Sequence, residues 1–432
     1  MEIQHVLSKI NRVLRTSLGI ISSQTLNILF VPVLARIYTP EQYAQFGLLL
    51  SLVVVLAGAA SGKYAEAIST AKHDSTANAL GEVALRLSFL SNLTFAPLLI
   101  AIALLTHNNI SFALLSILSV YSVSLTNVAT QVLIRRQRYT QYTILIFLML
   151  GLIPLLQFIF KGLPGNGLLL GACAAHSIAA VASFTFIPSA MWPKSWRTSQ
   201  RVKAVATIYR SFPQFALPSF FLSTLRTRLP YFALAGLPAK QFLGLFAQTD
   251  RLLGAPTTLM TTALRPLATE ALSRKNSSSA LLRKYLLMQW ILLIPPTVLV
   301  YKNAEPIVAL LLGPGWGGAT EVLKIMLFPS FLMMTTTWLD RFYDFSKQHH
   351  IVFKTEIAFG VFALLALVVW GPVLNKPLVA LSVFSAITSI YYLTWTCSLM
   401  RVYNIPWKNI TIVLAALCSS ILLWMLVIPT FG

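Results

Sequence analysis

The sequence predicts an all-α polytopic membrane protein, built as two six-helix lobes with one further helix at the C-terminus. Three observations carry that expectation. The 432 residues are 56% hydrophobic and only 10% charged, with a mean hydropathy of +0.74, where a soluble domain carries roughly 25% charged residues. Apolar stretches of about 20 residues, the length needed to cross the hydrocarbon core, recur along the whole chain. Between these stretches, lysine and arginine gather almost entirely on alternate sides.

Thirteen spans fall near 16–38, 44–62, 79–105, 111–134, 141–160, 167–191, 211–236, 242–272, 285–301, 319–340, 351–372, 377–400 and 407–429. The basic N-terminus is followed by no short apolar core with a small-residue cleavage site, so it leads into a retained first helix. Of the 33 lysines and arginines, 22 lie at or beyond span ends on the side of the N-terminus, five lie at or beyond span ends on the other side and six lie deeper within spans. Basic loops stay cytoplasmic, which places the N-terminus inside and, with thirteen spans, the C-terminus outside. The net charge of +21 is therefore a mark of topology, and no nucleic-acid partner is expected.

The longest loop, Trp192 to Arg210, is cytoplasmic and basic, and reads as a linker along anionic headgroups. It divides the chain into a first lobe (1–197), a linker (198–210), a second lobe (211–403) and the additional helix (404–432). The two lobes repeat one pattern. In the first, a span is followed by Ile37-Tyr38-Thr39-Pro40, then Ala44-Gln45-Phe46 and a second span. In the second, a span is followed by Gly236-Leu237-Pro238, then Gly244-Leu245-Phe246 and a second span. Six spans per lobe give both repeats the same orientation, related by a pseudo-twofold axis along the membrane normal. That is one of the two repeat plans of secondary transporters.

The stretch Phe242 to Leu272 has the length of a spanning helix, yet it carries Asp250, Arg251 and Arg265. Ionisable groups are costly in a bilayer and usually face a polar cavity or a partner. Arg251 and Arg265 are fourteen residues apart, which on a helix puts them on one face about 21 Å apart. As guanidinium groups they suit phosphate oxygens, which they bind bidentately. Pairing of Arg251 with Asp250, and snorkelling of Arg265 to the cytoplasmic interface, are the structural alternatives. Arg226 and Arg228 sit mid-span in STLRTRLPYF; they cannot share a helix face unless Pro230 distorts the turn. At least one is expected in the cavity, with the other there or paired to an acid such as Asp250 or Asp340.

Asp250 and Asp340 are also candidates for a coupling proton or cation. Gln24 and Asn27 on the first span are candidates for hydrogen bonds to a ligand in the cavity, and Arg36 for an outer gate, each with an ordinary structural alternative in helix–helix hydrogen bonding or headgroup anchoring. Glu82 and Arg86 stand at i,i+4 and read as a structural pair, as do Glu321 and Lys324 at i,i+3. The three cysteines lie in apolar stretches without paired spacing and read as small core residues. His349-His350 lacks further ligands at metal spacing, so neither a metal nor any other cofactor is expected.

Several motifs resemble those of a known family. LARIYTPEQYAQFGLLLSL (34–52) with KYAEAI (63–68) resembles the opening of the bacterial polysaccharide-biosynthesis flippases. FPQFALPSFF (212–221), GLFAQTDRLLGAP (244–256) and LLLGPGWGGATEVLKIMLF (310–328) resemble their second half. These flippases belong to the multidrug/oligosaccharidyl-lipid/polysaccharide exporter superfamily. The resemblance implies a V-shaped bundle that alternates between inward- and outward-open states in the bacterial inner membrane. It implies as cargo an undecaprenyl-pyrophosphate-linked oligosaccharide for O-antigen, lipopolysaccharide or capsule, with polymer-assembly proteins of the same pathway and membrane lipids as partners. It also implies that basic residues in the first two helices of each half face the cavity. A cation-coupled multidrug exporter is the alternative within the superfamily, but cationic cargo favours acids. On the two spans 211–236 and 242–272, basic residues outnumber acids. A membrane polymerase or glycosyltransferase would need a carboxylate-bearing loop of some size, whereas the outside turns are short and hold only Glu41 and Glu305 as acids.

Overall fold

A computed structural model describes residues 2–105, 108–163, 165–195, 199–237, 240–273, 278–346 and 349–405, together with Ala415 and Cys418. Every regular element among them is helical. Of the expected span at 407–429, only Ala415 and Cys418 fall among the described residues. The other twelve all coincide with helices, and ten of these are long and apolar enough to cross a membrane. The two that are not, 217–235 and 240–273, are those that carry the paired arginines. The chain is a multi-pass membrane protein. By packing it divides into two compact units, Met1–Gly236 and Leu237–Gly432.

In the first unit, α1 (Glu2–Ile37) and α2 (Pro40–Ala59) are joined by the Tyr38-Thr39 turn. Thr39 and Gln42 form a reciprocal capping box, and Pro40 opens the first turn, where its missing N–H costs nothing. Gly62 and Lys63 both take positive φ, 57° and 64°, to turn the chain into the short α3 (Tyr64–Thr70). Lys63 is held there by Glu66 at 2.8 Å and lies 3.6 Å above the Phe220 ring. The helices α4 (Asp74–Leu105), α5 (Ile110–Arg135) and α6 (Tyr139–Ile146) follow. A π-turn at Phe147–Gly151 leads from α6 into α7 (Leu152–Ile159), and then come α8 (Gly167–Phe186) and α9 (Gln200–Ile208). A second π-turn, Phe212–Ala216, opens α10 (Leu217–Ala235).

The central helices of this unit are α2 and α5, whose apolar windows are about two-thirds buried or more. By contrast α4 turns most of its surface outward, with Leu93, Leu104 and Leu105 exposed. Such an outward apolar face belongs against lipid tails. At one end of the unit a polar cluster fastens the loops. Tyr38 donates to the Gln157 carbonyl at 2.6 Å, and Asn166 donates to the Gln42 carbonyl and the Gln45 side chain. At the other end the 199–210 segment is docked: Val202 and Val205 of α9 enter the core with α3 and α4, while Arg201 and Lys203 face outward. The helix α10, which the sequence pattern sets at the head of the second lobe, packs on α2 and so falls in the first unit.

The second unit contains α11 (Lys240–Ser273), α12 (Ser278–Lys302), α13 (Ala304–Leu312), α14 (Ala319–Thr336), α15 (Asp340–Ser346), α16 (His349–Val368) and α17 (Pro377–Val402). Its core is aromatic. Trp338 and Phe342 meet edge to face at 5.9 Å, and Tyr343 stacks on Trp395 at 5.1 Å. Indole and phenol groups buried this way need partners. Trp338 Nε1 donates to Gln289, and Tyr343 Oη donates to the Trp395 carbonyl.

Candidate functional site

The second unit is organised around α11. Its 34 residues run unbroken through Asp250, Arg251 and Arg265, so the expected four-turn separation of the two arginines on one helix holds. Threonines line the helix, and Thr249, Thr257, Thr258 and Thr262 each donate to the carbonyl four residues earlier. This back-bonding hides the hydroxyl donor inside the helix and leaves an outward acceptor. Asp250 and Arg251 are half-buried.

Arg265 has a defined partner. Its Nη2 lies 2.7 Å from Asp340 Oδ2, and Asp340 also lies 3.7 Å from Arg341. One turn away, the hydroxyls of Thr261 and Thr337 are bonded at 2.6 Å, so α11 is clasped to the start of α15 by two polar contacts. The arginine is 42% exposed, and such a pair contributes about 1 kcal/mol at most. Arg265 is thus engaged with the acid that the sequence suggested for coupling.

In the first unit, α10 carries Arg226 and Arg228. The helix continues through Pro230 without a break; the distortion lies earlier, in the π-turn at Phe212–Ala216. The two arginines therefore point in different directions, as two-residue spacing on a regular helix requires. Arg226 is only 7% exposed, and Arg228 lies 5.6 Å over the Tyr231 ring. Gln24 is half-buried, Asn27 Nδ2 donates to the Ser23 carbonyl at 2.8 Å, and the exposed Arg36 donates to the Pro32 carbonyl at 2.8 Å. Glu82–Arg86 and Glu321–Lys324 form the ion pairs expected of them, at 2.6 and 3.6 Å.

Two polar residues escaped the sequence reading. Gln248, one turn before Arg251, is fully buried, and neither end of its amide has a partner among the described residues. An amide left so costs about 1–3 kcal/mol, a cost found most often at functional positions. The charged neighbours drew attention away from it. Glu356, 8% exposed on α16, accepts a 2.7 Å hydrogen bond from Tyr391 of α17. A glutamate inside an apolar 20-residue helix is itself the signal that could have found it. Tyr391→Phe removes that donor and is expected to lower stability by about 1–3 kcal/mol, read as a fall in the thermal midpoint of the detergent-solubilised protein. An unchanged midpoint would mean the bond carries no net stability. No group of three or more potential metal ligands occurs among the described residues.

The family described as "Polysaccharide biosynthesis protein" matches residues 33–321. The chain belongs to that family. The matched span contains α10 and α11 with all four of the arginines named above. No curated protein matches the chain. Among solved structures, a lipid II flippase, MurJ, in an inward closed conformation matches with a TM-score of 0.72 at 12% identity, over 95% of this chain and 96% of that one. An inward-facing multidrug resistance transporter of the MATE family, within the MOP superfamily, matches with a TM-score of 0.59 at 12% identity, over 90% and 95%. This member of the polysaccharide biosynthesis family therefore has the transporter fold shared by those two proteins.

Proposed function

We propose that this protein is a flippase for an undecaprenyl-pyrophosphate-linked oligosaccharide, moving it from the cytoplasmic to the periplasmic leaflet of a bacterial inner membrane by alternating access. The observation that carries the reading is the pair of helices α10 and α11. They are the spans too polar to count as ordinary membrane helices, and together they carry four arginines. A cargo with two linked phosphates is a dianion or more, and guanidinium forks match its oxygens. Arg251, Arg226 and Arg228 are the residues proposed to meet the pyrophosphate, with Arg265 held in reserve by Asp340. Gln24 and Asn27 are proposed for sugar contacts and Arg36 for the outer mouth. The two-lobe division at the 198–210 linker, the cytoplasmic N-terminus, and a coupling role for Asp250 or Asp340 belong to the same proposal. So do partners in polymer assembly for O-antigen or capsule.

The transporter fold is also that of a multidrug exporter, and cationic cargo would need acids where these helices place arginines. Complementation separates the two. In a strain lacking its own oligosaccharide flippase, the wild-type chain is expected to restore surface polymer and to leave drug accumulation unchanged. Lowered drug accumulation without polymer would transfer the protein to the exporter class.

Gln248 supplies a second check on the site. Gln248→Leu keeps the side-chain volume and removes an amide that pays a desolvation cost. The thermal midpoint is expected to hold or rise while polymer restoration falls. A variant with full activity would take Gln248 out of the transport path.

A further inference from the structure

A cleft of about 700 Å³ opens on the outer face of the first unit, between α4, α5, the end of α8 and the segment that follows it. It takes no part in the site above. Most of its lining is apolar, but two buried polar residues stand in it. Ser88 and Asn92, one turn apart on α4 and each only 5% exposed, both line it. Ser88 Oγ and Asn92 Oδ1 have no hydrogen-bond partner among the described residues. Buried polar groups are almost always satisfied, and in a bilayer no bulk water is at hand to do it.

The mouth of the cleft has a different chemistry. Arg86 bonds Glu82 at 2.6 Å and the Ser195 carbonyl at 2.8 Å, which ties the following segment across the opening. Lys194, beside it, is exposed and makes no ion pair among the described residues. With Glu82 offsetting one cation, the mouth keeps a net positive charge. Trp192 lies flat against Phe184, ring centroids 5.2 Å apart at 2°, an arrangement suited to the headgroup boundary where tryptophan concentrates. Leu90, between the two polar residues, and Leu93 and Leu98 beyond them on α4 are exposed.

Read along α4 from its basic end, the order is cation, hydrogen-bonding group, apolar surface. Arg86 to Asn92 is six residues, about 9 Å of helix. A glycerophospholipid presents the same order over a comparable length: phosphate, ester and glycerol oxygens, acyl chain. We propose that this cleft is a binding site for one anionic glycerophospholipid. Its phosphate sits at Lys194 and Arg86, its ester oxygens accept from the Ser88 hydroxyl and the Asn92 amide N–H, and its chains lie along the exposed leucines. Such a site would fasten the 192–195 segment, and with it α9, to the surrounding leaflet.

The test uses the full-length protein in mild detergent, titrated with dioleoylphosphatidylglycerol or dioleoylphosphatidylcholine and read by native mass spectrometry. One phosphatidylglycerol is expected to bind at least about fivefold more tightly than phosphatidylcholine. Lys194→Ala, at an exposed position that leaves folding intact, is expected to erase about fivefold of that affinity, the weight of one interfacial cation. Asn92→Leu, which fills the cleft and removes the amide, is expected to abolish the bound lipid. Equal binding of the two lipids overturns the proposal. A preference for phosphatidylglycerol that survives both substitutions overturns it as well, because the lipid then sits elsewhere.

Discussion

Arg251→Ala is expected to abolish surface-polymer restoration, with a loss of about a hundredfold or more at matched membrane expression. The size follows from what is removed: two charge-assisted hydrogen bonds at about 1.5 kcal/mol or more each, or about 3 kcal/mol together. Arg251→Lys keeps the charge but loses the planar fork, and a loss of about tenfold is expected, the worth of one such bond. Arg265→Ala should fall well short of either, because Arg265 lies within the last three turns of α11, where a long side chain can reach the membrane interface. The ranking is the informative result. Equal loss from Arg251→Ala and Arg265→Ala would point to two cations acting on the cargo together. Full activity in Arg251→Ala would remove the central site while leaving the fold untouched.

Gly171→Leu is expected to be the most damaging single substitution for folding. Gly167 and Gly171 stand one turn apart on α8, and together they let that helix approach α7 closely. A side-chain carbon at position 171 would lie 2.6 Å from the backbone nitrogen and 2.8 Å from the Cα of Gln157. Backbone cannot swing aside as a flexible side chain can, so the helices must separate. Separation would also strain the buried Gln157 amide, which donates to the Leu168 carbonyl, and the bond from Tyr38 to the Gln157 carbonyl. Small residues at this spacing are what close packing of membrane helices relies on. Overpacking costs about 3 kcal/mol at the upper end of its usual range, and a contact against backbone belongs there. The expected result is a sharp drop in the folded fraction recovered from membranes and in the thermal midpoint. Gly360→Leu is the control: nothing lies within 4 Å of the added carbon, and the midpoint should hold. Comparable behaviour of the two variants would show that α7 and α8 yield more easily than their packing implies.

Much of this protein was legible in the order of its residues. The twelve spans within the described residues, the family and the concentration of arginine on two helices all follow from one physical fact. A bilayer allows a polar or charged side chain only at a stated cost, so apolar length, basic loops and intramembrane charge each stand out against a strong background. The pairs Glu82–Arg86 and Glu321–Lys324 were legible for a related reason, since helix geometry alone brings residues three or four apart together.

What the tertiary structure decided was everything that depends on which helices touch. Arg265 and Asp340 are 75 residues apart in sequence, and only the packing of α11 on α15 makes them partners. Gln248 gave a weak signal because an uncharged amide in an apolar run says nothing about what surrounds it, and Glu356 marked a position without naming its partner. Their burial, and the presence or absence of a bonding partner, is what turns them into observations. Pro230, which could have distorted the turn between Arg226 and Arg228, leaves α10 unbroken, and the chain places its distortion in the π-turn before that helix. Likewise the polar floor of the α4 cleft reads in sequence as two ordinary residues, Ser88 and Asn92. Solvation by the membrane acts on each residue separately and is written into composition. Pairing and cavity shape depend on distant segments meeting, so they come into being only when the chain has folded.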